Sequence, residues 1–250
     1  MHRFFVPPEW IEDGTVVLSG GVARQLSHVL RTRPGDRITV LDDSGWEHLV
    51  TLTEVASDRT RGLVVERSRS VAEPSVRVTL YQGMLKADRF ELVLQKGTEL
   101  GASVFVPTLC ARSVPRPRGE SRESSRLDRW RRIVVEAAEQ SGRGRLPKLR
   151  EPVPFSEACD GVRGPAIIPW EGETEAGLKA ALGQLRPNAG ALASLGIFIG
   201  PEGGFTQEEV DQARAVGVVA VSLGRRILRA ETAGVSVVAA VMYELGELGG

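Results

Sequence analysis

From residue 76 the chain alternates two kinds of segment, and that alternation limits the folds open to it. "VRVTLYQG", "VFVP", "AIIPW", "LGIFIG" and "VVAVSLG" are short, apolar and rich in β-branched residues. Strands buried on both faces have this composition. Between them lie longer segments with helical spacing: "KADRFELVLQKGTELGA", "SSRLDRWRRIVVEAAEQSG", "EAGLKAALGQL" and "TQEEVDQARAVG". "ETAGVSVVAAVMYELGEL" closes the chain as a further helix. Parallel strands need crossover connections, and helices supply them. The expected class is therefore α/β with a mainly parallel sheet.

The first 70 residues follow another rhythm. "DRITVLD", "EHLVTLTEV" and "RGLVVE" are β-rich, and "RPGD" and "DDSGW" supply turns between strands. One short helix, "GGVARQLSHVLR", precedes them. A small β-barrel or sandwich is expected here, and "SRSVAEPS" connects it to the α/β part. The chain thus divides near residues 72 and 73.

The totals exclude several classes. The 250 residues carry 32 Lys and Arg against 32 Asp and Glu, so any basic surface is local. No apolar run is long enough to cross a bilayer, and "MHRFFVPPEW" lacks the apolar stretch of a signal peptide. Cys110 and Cys159 lie far apart, and His2, His28 and His48 are dispersed. Neither a disulfide framework nor a metal site is expected. His28 is expected to pack within its helix. These readings point to a cytoplasmic protein.

Three segments carry candidate chemistry. "GPEGG", residues 200–204, follows a strand, where open α/β sheets bind ligands. It has neither the GxGxxG spacing nor the Lys-Ser/Thr of a phosphate loop. On spacing alone it is a tight turn, with Thr206 and Glu209 set for a capping box on the next helix. "SLGRRILRAETAG", residues 222–234, follows another strand and opens another helix. Ile227 and Leu228 are poorly suited to a plain solvated loop. Two glycine-containing loops at the carboxyl ends of two strands suggest one shared pocket. From Arg112 to Arg150 there are twelve Arg and Lys against five Asp and Glu, an excess of seven. "SVPRPRGESRESSR" has the composition of a mobile loop. Such a run is either a solvated, salt-bridged face or a contact for a polyanion such as RNA or DNA.

Taken together, "RFFV", "KADRFELVLQKGTELGASVFVPTLCARSV", "RWRRIVVEAAEQSGR", "IGPEGGFTQEEV" and "VSLGRRILRAETA" resemble one family. It is the RsmE family of 16S ribosomal RNA (uracil-N3)-methyltransferases, of the SPOUT class. The matching strings run along the whole chain. Gly97 stands where the family more often has alanine, and Ala230 where it often has threonine.

The resemblance implies a PUA-like RNA-binding β-barrel over 1–72 and a SPOUT methyltransferase domain over 73–250, closed by a C-terminal trefoil knot. It implies S-adenosylmethionine as methyl donor and a homodimer, which the nearly all-apolar "GVSVVAAVM" suits. It implies 16S rRNA within the 30S subunit as the partner, with no metal and no membrane. Around the donor it places Ile199, Gly200, Pro201, Glu202, Gly203, Leu223, Gly224, Ile227, Leu228 and Thr232. For RNA it suggests Arg3 and Arg31 from the barrel, and Arg112 and Arg143 near the cleft. Arg229 is the candidate for stabilising charge on the uracil oxygens, and Glu231 for the base. Two rivals share the fold: a methyltransferase acting on the ribose 2′-OH or another base, and a non-catalytic RNA-binding assembly factor.

Overall fold

The computed structural model describes residues 1–113, 120–185 and 192–249. These form two compact units. The first comprises Met1–Glu73 with Val135–Leu146, and the second Pro74–Val134 with Pro147–Gly250.

The first unit is a curled, mostly antiparallel sheet. Its strands are β1 (Arg3–Phe5), β2 (Ile11–Glu12), β3 (Thr15–Ser19), β4 (Arg37–Leu41), β5 (Trp46–Val55) and β6 (Arg59–Arg69). Their order is β1-β4-β5-β6-β3-β2, and only β1–β4 is parallel. Alternation selects the core face: Val16 and Leu18, Ile38 and Val40, Val50 and Leu52 are all buried. The three expected strands are β4, β5 and β6, whereas β1, β2 and β3 had no predicted counterpart. They are short, and short strands carry little periodic signal. The expected helix is one α-helical turn, α1 (Gly20–Arg24), followed by a π-helical turn over Gln25–Val29. His28 is exposed there, not packed as expected, because Ala23 and Leu26 are the residues that turn inward.

The second unit is α/β with an all-parallel sheet. Its elements are β7 (Arg77–Gly83), α2 (Ala87–Glu99), β8 (Val104–Leu109), α3 (Glu120–Ser141), β9 (Lys148–Leu149), β10 (Val153–Pro154), α4 (Phe155–Asp160), β11 (Ala166–Pro169), α5 (Leu178–Leu185), β12 (Ser194–Ile199), α6 (Gln207–Ala215), β13 (Val219–Val221) and α7 (Ala230–Glu244). From Val135 onward, α3 belongs to the first unit. The sheet order is β10-β8-β7-β12-β11-β13, with β9 also on β8.

Both faces of this sheet are covered. Val78 and Leu80 of β7 and Leu195, Ile197 and Ile199 of β12 share one core with Phe90, Trp130, Leu182 and Val238 of the helices. Tyr81 and Phe198 face the other side with Phe155, Phe205 and Val210. Tyr81 and Phe198 are partners in register and their rings stack at 4.3 Å. Phe90 stacks on Trp130 at the same centroid distance. Gly97 of α2 packs on the Phe105 ring, and a Cβ there would lie 2.7 Å from it. That contact explains glycine at a helical position where alanine would otherwise be preferred. No described helix is long and apolar enough to cross a membrane.

Candidate active site

The carboxyl ends of the parallel strands carry the chemistry-bearing loops. The loop after β12 runs through Gly200, Pro201, Glu202, Gly203 and Gly204 to Thr206. Thr206 Oγ1 accepts from the Glu209 amide at 3.2 Å, and Glu209 Oε2 accepts from the Thr206 amide at 3.0 Å, so the expected capping box forms. Glu209 does more than cap. Its Oε1 accepts from the Ala111 amide at 2.7 Å and ties the loop after β8 to α6.

Glu202 faces the N-terminus of α2. Its Oε1 accepts from the Lys86 amide at 3.2 Å and lies 3.4 Å from Arg89 Nη1. Lys86 is the N-cap of α2 and has no side-chain cap of its own, so the Glu202 carboxylate satisfies an end amide and meets the positive end of the helix. Arg89 also reaches Glu231, with Nε 3.7 Å from Oε1. One guanidinium therefore stands between the loop after β12 and the first turn of α7. The acidic residue of GPEGG has an internal partner, which explains a glutamate in a loop that is otherwise glycine and proline.

Glu231 lies in the first turn of α7, where the helix N-terminus favours a carboxylate. It is buried, and its Oε2 has no hydrogen-bond partner. Gln82, the penultimate residue of β7, is 1% exposed and also keeps an unpartnered Oε1. Its Nε2 donates to the Gly83 and Gly200 carbonyls at 3.2 and 3.5 Å. Gly234 of α7 leaves the space for that amide, since a Cβ there would lie 2.7 Å from Oε1. Buried polar atoms without partners are uncommon. Two such acceptors beside the same loops suit a ligand that donates hydrogen bonds.

The loop from Ser222 to Arg229 joins β13 to α7, the helix that carries Glu231 and Gly234. Ser222 is tied to the end of the loop after β11 by its amide, which donates to the Ala176 carbonyl at 2.7 Å. Gly224 has φ +94, a conformation that glycine adopts without strain. Arg225, Arg226, Ile227, Arg229 and Thr232 are exposed and Leu223 and Leu228 half-buried. Ile227 is 92% exposed, so burial by this chain does not account for its apolar side chain.

Arg112 is exposed, but its Nη1 donates to the Gly203 and Phe205 carbonyls at 3.0 and 3.2 Å. It braces the GPEGG loop. Arg3 forms a two-pronged pair with Glu47 at 2.7 and 3.0 Å, and Arg143 is buried against Glu73 at 3.0 Å. Arg31 is exposed with φ 53. The structure thus links Glu202 of the GPEGG loop to Glu231 of α7 through Arg89 and commits Arg3 and Arg143 to internal pairs in the first unit. The basic segment is partly neutralised locally, with Arg129 on Glu91 at 2.7 Å and Arg131 on Asp128 at 2.9 Å. Arg116 and Arg118 lie outside the described residues. Gln82, Gly83 and Arg89 were missed by sequence reasoning. The one available signal was a glutamine near the end of a strand of mostly apolar and β-branched residues.

A parallel sheet with glycine-containing loops and buried unpartnered acceptors at its carboxyl edge defines a small-ligand-binding α/β class, and the comparisons say which one. The family model described as an RNA methyltransferase domain matches residues 72–242. A ribosomal RNA small subunit methyltransferase E of Bacillus subtilis is 32% identical, over 98% of this chain and 97% of that protein. One of Synechocystis is 36% identical, over 93% of this chain and 74% of that protein. A solved structure of the Neisseria gonorrhoeae methyltransferase E bound to S-adenosyl methionine superposes with a TM-score of 0.85 at 32% identity, covering 97% of each chain. The chain belongs to the ribosomal RNA small subunit methyltransferase E family.

Proposed function

We propose that this protein transfers a methyl group from S-adenosylmethionine to N3 of a uracil in 16S rRNA. The observation that carries the reading is the loop after β12 joined to the first turn of α7, with Glu202 and Glu231 held by one arginine, inside the segment that the RNA methyltransferase family covers. The residues fit such a donor. Unpartnered Gln82 Oε1 offers an acceptor for its amino or hydroxyl groups, and the glycines let backbone approach it. S-adenosylmethionine supplies an electrophilic methyl on a sulfonium.

The chain's own groups then have two tasks. Uracil N3 is a poor nucleophile until it loses its proton. Glu231, with one buried free oxygen, is the group we assign to hold that proton, and such assistance contributes about 10²–10⁴-fold. Arg229, exposed at the N-cap of α7, is assigned to the charge that spreads onto the uracil oxygens. N3 lies on the Watson–Crick edge, so the target base must be unpaired or turned out of its stack.

The finer architecture belongs to the same proposal: a C-terminal trefoil knot, a PUA-like barrel over 1–72 that binds RNA, a homodimer in the cytoplasm, and the 30S subunit as substrate. Incubation with 30S subunits lacking the mark and labelled donor, followed by mapping of the methyl, tests the reading. A methyl on uracil N3, lost in Arg229→Ala, is expected. Absence of donor binding by calorimetry overturns it.

A further inference from the structure

A second group of residues, remote in sequence from the methyl-donor loops, is organised for an anion. Trp46 opens β5 in the first unit, and its cross-strand partner on β6 is Arg69. Arg67, paired with His48, projects from the same face of the hairpin. Both guanidiniums lie on the Trp46 indole, with Cζ 4.3 and 4.1 Å from the ring centroid. Each cation–π contact contributes about 0.5–1 kcal/mol at an exposed site and favours the guanidinium against the ring.

Among the described residues neither guanidinium has a hydrogen-bond or ion-pair partner, and both arginines are exposed. The nearest carboxylate on β5 is already used: Glu47 is gripped by Arg3 and hydrogen-bonded by Ser70, and its pKa is lowered chiefly by the Arg3 hydrogen bond. Glu66 projects from the opposite face, across from Leu49. Two like charges thus share one indole, and their N–H donors are unclaimed among the described residues. That arrangement costs repulsion unless an anion joins it, and a stacked guanidinium presents its fork edge-on to phosphate oxygens.

We infer that Trp46, Arg67 and Arg69 form a phosphate-binding fork that grips the RNA backbone outside the methyl-transfer site. The inference rests on the reading of the protein as an RNA enzyme, but uses none of the donor-site residues. The fork takes phosphates from the backbone and reads no base, so it fixes where the RNA lies and leaves the choice of nucleotide to the other unit.

The test is binding of a fluorescent single-stranded oligouridylate by the full-length protein across a salt series. For single strands each phosphate contact contributes a slope of about −0.7 in log K against log salt. Arg67→Ala with Arg69→Ala should lower the slope by about 1.4 and weaken binding roughly 25-fold near 0.1 M salt. Arg67→Lys with Arg69→Lys should keep the slope and still bind more weakly, because lysine keeps the charge and loses the fork. Calorimetry with S-adenosylmethionine should show wild-type donor affinity in both variants, and wild-type thermal unfolding reports that the first unit is folded. A wild-type salt slope in the double alanine variant overturns the fork and leaves the methyltransferase reading standing. Failure of the wild-type protein to bind RNA at all sinks that reading as well. Displacement of the RNA by polyglutamate at equal charge overturns RNA as the occupant in favour of an acidic protein surface.

Discussion

Gly83→Ala probes the site through one atom. Gly83 ends β7, and the Gly200–Pro201 peptide packs directly on its Cα. An added Cβ would lie 2.5 Å from Pro201 N and 2.7 Å from the Gly200 carbonyl carbon. These are backbone atoms, so no side-chain rotation relieves the overlap. Ordinary contact begins near 3.4 Å, and the peptide must therefore retreat by about 0.9 Å. That retreat pulls the Gly200 carbonyl from Gln82 and drags Glu202 away from the Lys86 amide and Arg89. Overpacking of this kind costs about 1–3 kcal/mol of stability. Misplacement near 1 Å costs on the order of 100-fold in rate. The assay is donor binding by calorimetry beside single-turnover methylation and thermal unfolding. Gly183→Ala is the control: it lies in α5, and its Cβ would meet nothing within 4 Å. That change should stabilise by about 0.5–1 kcal/mol and leave binding alone. If Gly83→Ala binds donor and turns over as the wild-type protein does, the close approach is not what shapes the loop and the reasoning fails.

Arg89→Met removes the link between Glu202 and Glu231; its side chain is 40% exposed, so screening limits the loss to about 1 kcal/mol, near fivefold in donor affinity. Calorimetry reads this, and Arg89→Lys should recover part of it; unchanged affinity in Arg89→Met would refute the link. Burial pushes the Cys159 thiol up to about 11 and the Cys110 thiol higher still, so neither is a thiolate at neutral pH. Native protein should resist a thiol-specific dye and take up two equivalents only when unfolded in urea; fast native labelling contradicts the burial. Burial also raises Glu139 above the ordinary 4.5, although it accepts the Phe5 amide at 2.9 Å. The folded state then binds this proton more tightly than the unfolded one, so stability falls as pH climbs from about 4.5 through the raised value. Glu139→Gln keeps the acceptor and should be more stable than wild type at neutral pH; urea unfolding checks it, and a less stable variant would disprove the assignment.

The sequence alone determined most elements of the second unit and the ends of several, but not β9, β10 and α4, which are too short to carry a periodic signal. The buried strand composition of "LGIFIG", the capping box at Thr206 and Glu209, and the stop of α2 before Gly101 all follow from local pattern. So did the two glycine loops, because a loop between a strand and a helix is marked by its own residues. What the tertiary structure decided is who meets whom. Arg89 and Glu202 are separated by 113 residues, and nothing in the spacing of either string names the other. Glutamate in GPEGG was an anomaly for a phosphate cradle; in the folded chain it is the acceptor for an end amide of α2 and an ion pair to Arg89. The N-terminal strands escaped prediction because a strand of three or five residues owes its existence to the neighbours that complete its hydrogen bonds. The resemblance suggested Arg3 and Arg143 as RNA contacts; their pairs with Glu47 and Glu73 could not be read, since charge can be counted along a chain but its neutralisation depends on the carboxylates that folding brings beside it.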